Sequence, residues 1–210
     1  KGLETVVRGV TVIARELPFE LEFYELDDSS SFEIDDLYIK AIPVEHRTVC
    51  YAYSVEVKRL GKFDVLKARE LNLPNKYWSL LQNGEGVYYE GKTYLPQMVM
   101  GKERKGLKLT YSTDTRPIAG LIDFAENSDL YICEGIYGDD EKLCKALEYK
   151  HMTFSEAANL AKSACVKEMW LTHYSPSMTN PEDYIEKTRE IFPNTKLGYD
   201  RKTCTLAFED

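Results

Sequence analysis

Residues 107–117 read LKLTYSTDTRP. Leu107, Leu109 and Tyr111 alternate with Lys108 and Thr110, the period-two pattern of a strand with one buried face. Pro117 cannot continue a ladder, so the strand stops in the Ser-Thr-Asp-Thr-Arg turn. A carboxylate, Asp114, thus stands just past a strand end, where sheet proteins place groups that bind and react.

The surrounding pattern alternates strands and helices. A strand over 107–112 is followed by a helix near 118–126 and a strand DLYIC at 129–133. Helices near 140–149 and 153–165, a strand EMWLTH at 168–173, a helix opening at Pro181 with Asn180 as its cap, and strands TKLGY and TCTLAFE follow. Upstream, GLETVVRGVTVIAREL carries apolar residues at helical spacing, while FELEFYEL, LYIKAIPVEH and TVCYAYSVEVKRL read as strands. Strands interleaved with helices predict a layered α/β body formed by residues 1–60 and 107–210.

Residues 61–106 fit neither half. They are rich in Gly, Lys and Tyr, with two short helical pieces split at Pro74 and a hairpin turning at Glu90-Gly91. So little apolar content makes a poor core element, and an arm projecting from the body is the expected form. Charge singles out the same segment. From Lys58 to Lys108 there are eleven Lys or Arg against five Asp or Glu, in a chain whose total is −8. An acidic body with one basic surface suits a polyanion, although a lysine-rich solvated surface would look the same.

The chain has 210 residues, 43% of them hydrophobic, enough for one substantial core. No run of 18 apolar residues is present, which excludes a membrane-crossing helix within it. Five scattered cysteines without a CxxC spacing read as reduced side chains of a cytoplasmic protein. There are only three histidines, and each sits at an element end. His46 follows the strand of AIPVEH, His151 opens the helix of HMTFSEAA, and His173 ends the strand of WLTH. With Asp114 they are of the residue types that ligate Zn²⁺. A histidine at a strand end is commonly an ordinary surface or core residue, Asp114 could merely cap its turn, and spacing alone does not make a metal site.

Taken together, YSTDTRP, HMTFSEAANLAK, WLTHYSP and GKFDVLKARELN…GEGVYYEGK resemble the ribonuclease Z family, tRNA 3′-processing endoribonucleases of the metallo-β-lactamase superfamily, across almost the whole chain. The resemblance implies an αββα sandwich and two Zn²⁺ per active site. It implies that His46 and His173 are ligands of the first and second ion and that Asp114 bridges them. It places His151 beside the scissile phosphate as a proton donor, with Glu134 orienting it; the residue before Glu134, usually His in the family, is Cys133 here. It makes 61–106 a tRNA-gripping arm, in which Lys62, Lys67, Arg69 and Lys76 would meet the substrate, with Pro74-Asn75-Lys76 where the family has a Gly-Pro pair. Precursor tRNA and a second copy of the chain, in a homodimer, are the implied partners.

The family's HxHxDH signature does not occur in the chain. The resemblance therefore implies the C-terminal two thirds of an enzyme, truncated at its N-terminus, binding metal weakly or not at all and inactive by itself. Two other functions stay open: a superfamily phosphodiesterase for a small substrate, and a non-catalytic RNA-binding module.

Overall fold

The computed structural model of the chain describes residues 2–14, 16–26 and 30–209. Helix α1 spans Leu3–Thr11 and leaves Leu3, Val6 and Val10 exposed. The helix expected to run on through 17 stops here; Arg15, inside that stretch, lies outside the described residues. FELEFYEL forms no strand. Instead β1 is Ser30–Ile34, turning at Asp35 (φ 51°) into β2, Leu37–Pro43, which is followed by β3, Tyr51–Arg59. Tyr24 still serves this edge, stacking on Phe32 of β1 with ring centroids 5.8 Å apart.

Residues 60–103 then form a separate unit. It contains α2 (Val65–Glu70), α3 (Trp78–Gln82) and the hairpin β4 (Val87–Tyr89) and β5 (Lys92–Tyr94). The expectation that this segment is too polar for a core is corrected. Ala68, Leu73, Leu81, Val87, Tyr94 and Val99 make a small buried cluster, sealed by Phe63 and Trp78, whose indole donates to the Leu73 carbonyl at 2.9 Å. The two chain passages cross closely at its root: a Cβ on Gly61 would stand 2.3 Å from the Gly101 carbonyl oxygen.

The chain returns as β6 (Arg104–Ser112), then α4 (Ala119–Ala125), β7 (Leu130–Glu134), α5 (Leu143–Tyr149), α6 (Phe154–Ser163), β8 (Met169–Thr172), α7 (Glu182–Ile191) and β9 (Thr195–Leu197). The seven-stranded sheet has the order β1-β2-β3-β6-β7-β8-β9. It is antiparallel from β1 to β6 and parallel from β6 to β9. Parallel neighbours need crossovers, which α4, the α5–α6 pair and α7 supply. Two further expectations are corrected. TCTLAFE, 203–209, is not a strand. Asn180 does not cap α7: Pro181 holds the cap position and Asn180 Nδ2 bonds the Asp183 carboxylate at 2.6 Å.

One sheet face carries the main core. Leu121 and Ala125 of α4, Phe154, Ala157, Ala158 and Ala161 of α6 and Ile185 of α7 pack on Tyr131, Cys133, Met169 and Leu171. On the opposite face Tyr53, Val55, Leu109 and Ile132 are half-buried and Tyr111 is 41% exposed. Strands β2, β6, β7 and β8 run the same way, so the loops leaving them meet at one rim.

Candidate active site

Each of those loops brings a site residue. His46 follows β2, Asp114 follows β6, Glu134 ends β7 and His173 follows β8, while His151 opens the turn into α6. Asp114 (φ 49°) and His173 (φ 56°) both hold left-handed backbone, a conformation that surrounding contacts must enforce. His173 Nε2 lies 2.8 Å from Asp114 Oδ1. That oxygen is closed off from solvent and accepts no well-directed hydrogen bond among the described residues.

His151 completes the group. Ligand atoms of Asp114, His151 and His173 all fall within 4.8 Å of one another. His46 stands at the edge of this cluster, its ring centroid 4.9 Å from that of His151 and its Nδ1 3.1 Å from the Lys150 carbonyl oxygen. The four residues singled out in the sequence thus lie in one neighbourhood, but the ligand group is completed by His151, with His46 next to it, rather than by His46 as expected. Two imidazoles and a carboxylate with an orphaned buried oxygen are a donor set that fits a metal ion.

Glu134 lies beneath. Its side chain is fully buried, and it accepts from Thr115 N at 2.5 Å and Met152 N at 3.0 Å. His151 Nδ1 is 3.1 Å from both of its oxygens. Burial pushes the Glu134 carboxyl up to about 7, against the pull of the two backbone N–H groups. Burial, with the neighbouring His46, holds His151 below the ordinary imidazole value. The contact fixes the orientation of the ring.

One pair was not singled out in the sequence. Arg116 forms a two-pronged ion pair with Glu156, whose side chain also accepts from Thr153 N at 3.0 Å in a capping box at the start of α6. The Thr-x-x-Glu spacing of 153–156 announces that box; nothing in the sequence joins it to Arg116. The predicted substrate cations sit away from this rim. Lys62, Arg69 and Lys76 are exposed on the 60–103 unit, and Lys67 is tied to the Met100 carbonyl at 2.8 Å.

No family model matches the chain. Over its whole length it is 54% identical to ribonuclease Z of Lachnospira eligens and 51% identical to ribonuclease Z of Clostridium acetobutylicum, covering 69% and 70% of those proteins. Human tRNase Z, short form, matches in fold with a TM-score of 0.59 at 19% identity, over 99% of this chain and 66% of that one. The metallo-β-lactamase fold protein YhfI from Bacillus subtilis matches with a TM-score of 0.53 at 17% identity, over 83% and 52%. At such identities the two structures speak for the fold alone, and the sequence relatives decide the family: this chain belongs to ribonuclease Z, within the metallo-β-lactamase fold.

Proposed function

We propose that the protein is a zinc-dependent endoribonuclease that removes 3′ trailers from precursor tRNA. The observation that carries this is the meeting of Asp114, His151 and His173 at one rim of a chain half identical to ribonuclease Z from end to end. Asp114 and His173 would hold the metal, and His46, which stands next to His151, would be a further ligand. Bound Zn²⁺ supplies an acidified water and neutralises charge developing on the phosphate. His151, its Nδ1 held by Glu134, turns Nε2 toward the substrate and hands a proton to the departing ribose 3′-oxygen. The products are tRNA with a free 3′-hydroxyl and a trailer with a 5′-phosphate.

Substrate grip comes from the 60–103 unit, which acts as an arm meeting the tRNA backbone through Lys62, Lys67, Arg69 and Lys76. Its separate small core supports this, because it lets the unit keep its shape away from the main sheet. Five free cysteines fit a reducing, cytoplasmic setting, and the homodimer implied by the family resemblance is the proposed working form. No described helix is long and apolar enough to cross a membrane. End-mapping tests the reading: the full-length protein with zinc should cut a 3′-extended tRNA at the trailer junction. Random nicking, or no cutting, would overturn it.

A further inference from the structure

We propose that Arg116 is a positioning residue for His151, acting as a clamp across three loops of the site. This rests on the nuclease reading above and names a residue in no role so far. The guanidinium is 11% exposed and its partner carboxylate, Glu156, 21%. Nη1 donates to the His151 carbonyl and, at 2.9 Å, to Glu156 Oε2; Nη2 donates to Glu156 Oε1. The Arg116 backbone N–H donates to the Glu45 carbonyl at 3.0 Å, next to His46. Its neighbour Thr115 accepts from Glu45 N at 3.2 Å and donates its own N–H to Glu134.

One side chain and its adjoining peptide thus tie together the loop of His46, the loop of Asp114 and the turn of His151. The turn needs such a tie. Lys150, before His151, has φ 59°, and the His151 N–H is already spent on the Ala146 carbonyl at 2.9 Å. Arg116 holds the carbonyl on the other side, so the backbone of His151 is fixed at both ends while Glu134 fixes the ring. Glu156 anchors the clamp to the first turn of α6 through the capping box. Only a planar fork reaches a carbonyl and both oxygens of a carboxylate at once; a lysine ammonium can keep the ion pair but not all three bonds. A displacement of about 1 Å at a reacting group costs on the order of 100-fold in rate.

Arg116→Lys, Arg116→Met and Glu156→Gln separate positioning from mere stability. In the full-length enzyme, Arg116→Lys should melt close to wild type yet lose about 10- to 100-fold in kcat on precursor tRNA, with KM within about twofold. In ¹⁵N-labelled protein without metal, the His151 imidazole should show a single tautomer in wild type and an averaged one in Arg116→Lys. An unchanged kcat, an unchanged imidazole spectrum, or a loss confined to KM would overturn the proposal. Should Arg116→Met fail to fold, Glu156→Gln must still lower kcat. A wild-type enzyme inactive on tRNA would sink the nuclease reading alone; the imidazole spectrum would still judge the clamp.

Discussion

His173 Nε2 stands 2.8 Å from Asp114 Oδ1 although β7 separates the strands that carry them, and both residues reach this contact from left-handed backbone. Holding a carboxylate oxygen out of solvent without a well-directed donor costs stability that a bound cation would recover. Asp114→Asn should therefore leave the metal-free protein as stable as wild type, or more stable by up to about 1 kcal/mol, since Asn tolerates the same backbone region. Its zinc affinity should fall at least about 10-fold. Denaturant melts with and without zinc measure both effects. An Asp114→Asn protein weakened by more than about 1 kcal/mol without metal would mean that the carboxylate is structural.

The raised Glu134 carboxyl predicts a pH dependence of the fold with a definite sign. Its value in the folded protein, about 7, lies above the ordinary 4.5, so the folded state binds the extra proton between those pH values. Its stabilising contribution is full below pH 4.5 and is lost as pH rises through 7. The stability of wild type relative to Glu134→Gln should accordingly decline from about pH 4.5 to 7 and level off above. Unfolding free energies at several pH values read this directly; a difference that grows with pH would show that hydrogen bonds to the carboxylate outweigh its burial.

Much of this was readable in the sequence, for definite reasons. The strands β6, β7 and β8 carry large apolar side chains at period two or in short runs, and each ends at a polar turn. Their positions, and the strand-end places of His46, Asp114 and His173, follow from that, whereas Glu134 entered only through the family resemblance. What failed was local pattern without a partner. FELEFYEL alternates well but meets no strand, whereas Ser30–Ile34, a poorer pattern, is held by register to β2, with Phe32 opposite Ile39. TCTLAFE likewise forms no strand: Arg59 lies over the Phe208 ring at 4.7 Å and Lys167 pairs with Glu209, side-chain ties in place of a ladder. The core of the 60–103 unit was underestimated because it is built from few residues spread over some thirty positions. The Arg116–Glu156 pair was invisible because forty positions separate its partners.

The half-covered sheet face makes a prediction about behaviour in solution. Tyr53, Val55, Leu109, Ile132 and Tyr111 present a broad apolar surface, and α1 adds exposed Leu3, Val6 and Val10. Surfaces of this kind mark contact sites or aggregation liabilities. Residues 1–210, purified alone, should bind a hydrophobic dye and associate with rising concentration. A monodisperse monomer with a cooperative melt and no dye binding would show the face to be self-sufficient.

Replacing Lys62, Arg69 and Lys76 together with Ala should weaken precursor tRNA binding by the full-length enzyme. It should also flatten the dependence of log affinity on log salt by about 0.7–0.9 for each lost phosphate contact. Hydrolysis of bis(p-nitrophenyl) phosphate should be unchanged, because these residues sit on a unit with its own core. Equal loss of both activities would remove the exosite role from this unit.

On the proposed division of labour, Asp114 and His173 would hold the metal while His151, oriented by Glu134, would move a proton. The most direct test is His151→Ala in the full-length enzyme, with bound zinc and single-turnover cleavage of a 3′-extended tRNA measured on the same preparation. Retained zinc with cleavage slowed about 100- to 10,000-fold is the predicted result. Loss of zinc along with activity would make His151 a ligand, and cleavage at the wild-type rate would remove it from the chemistry.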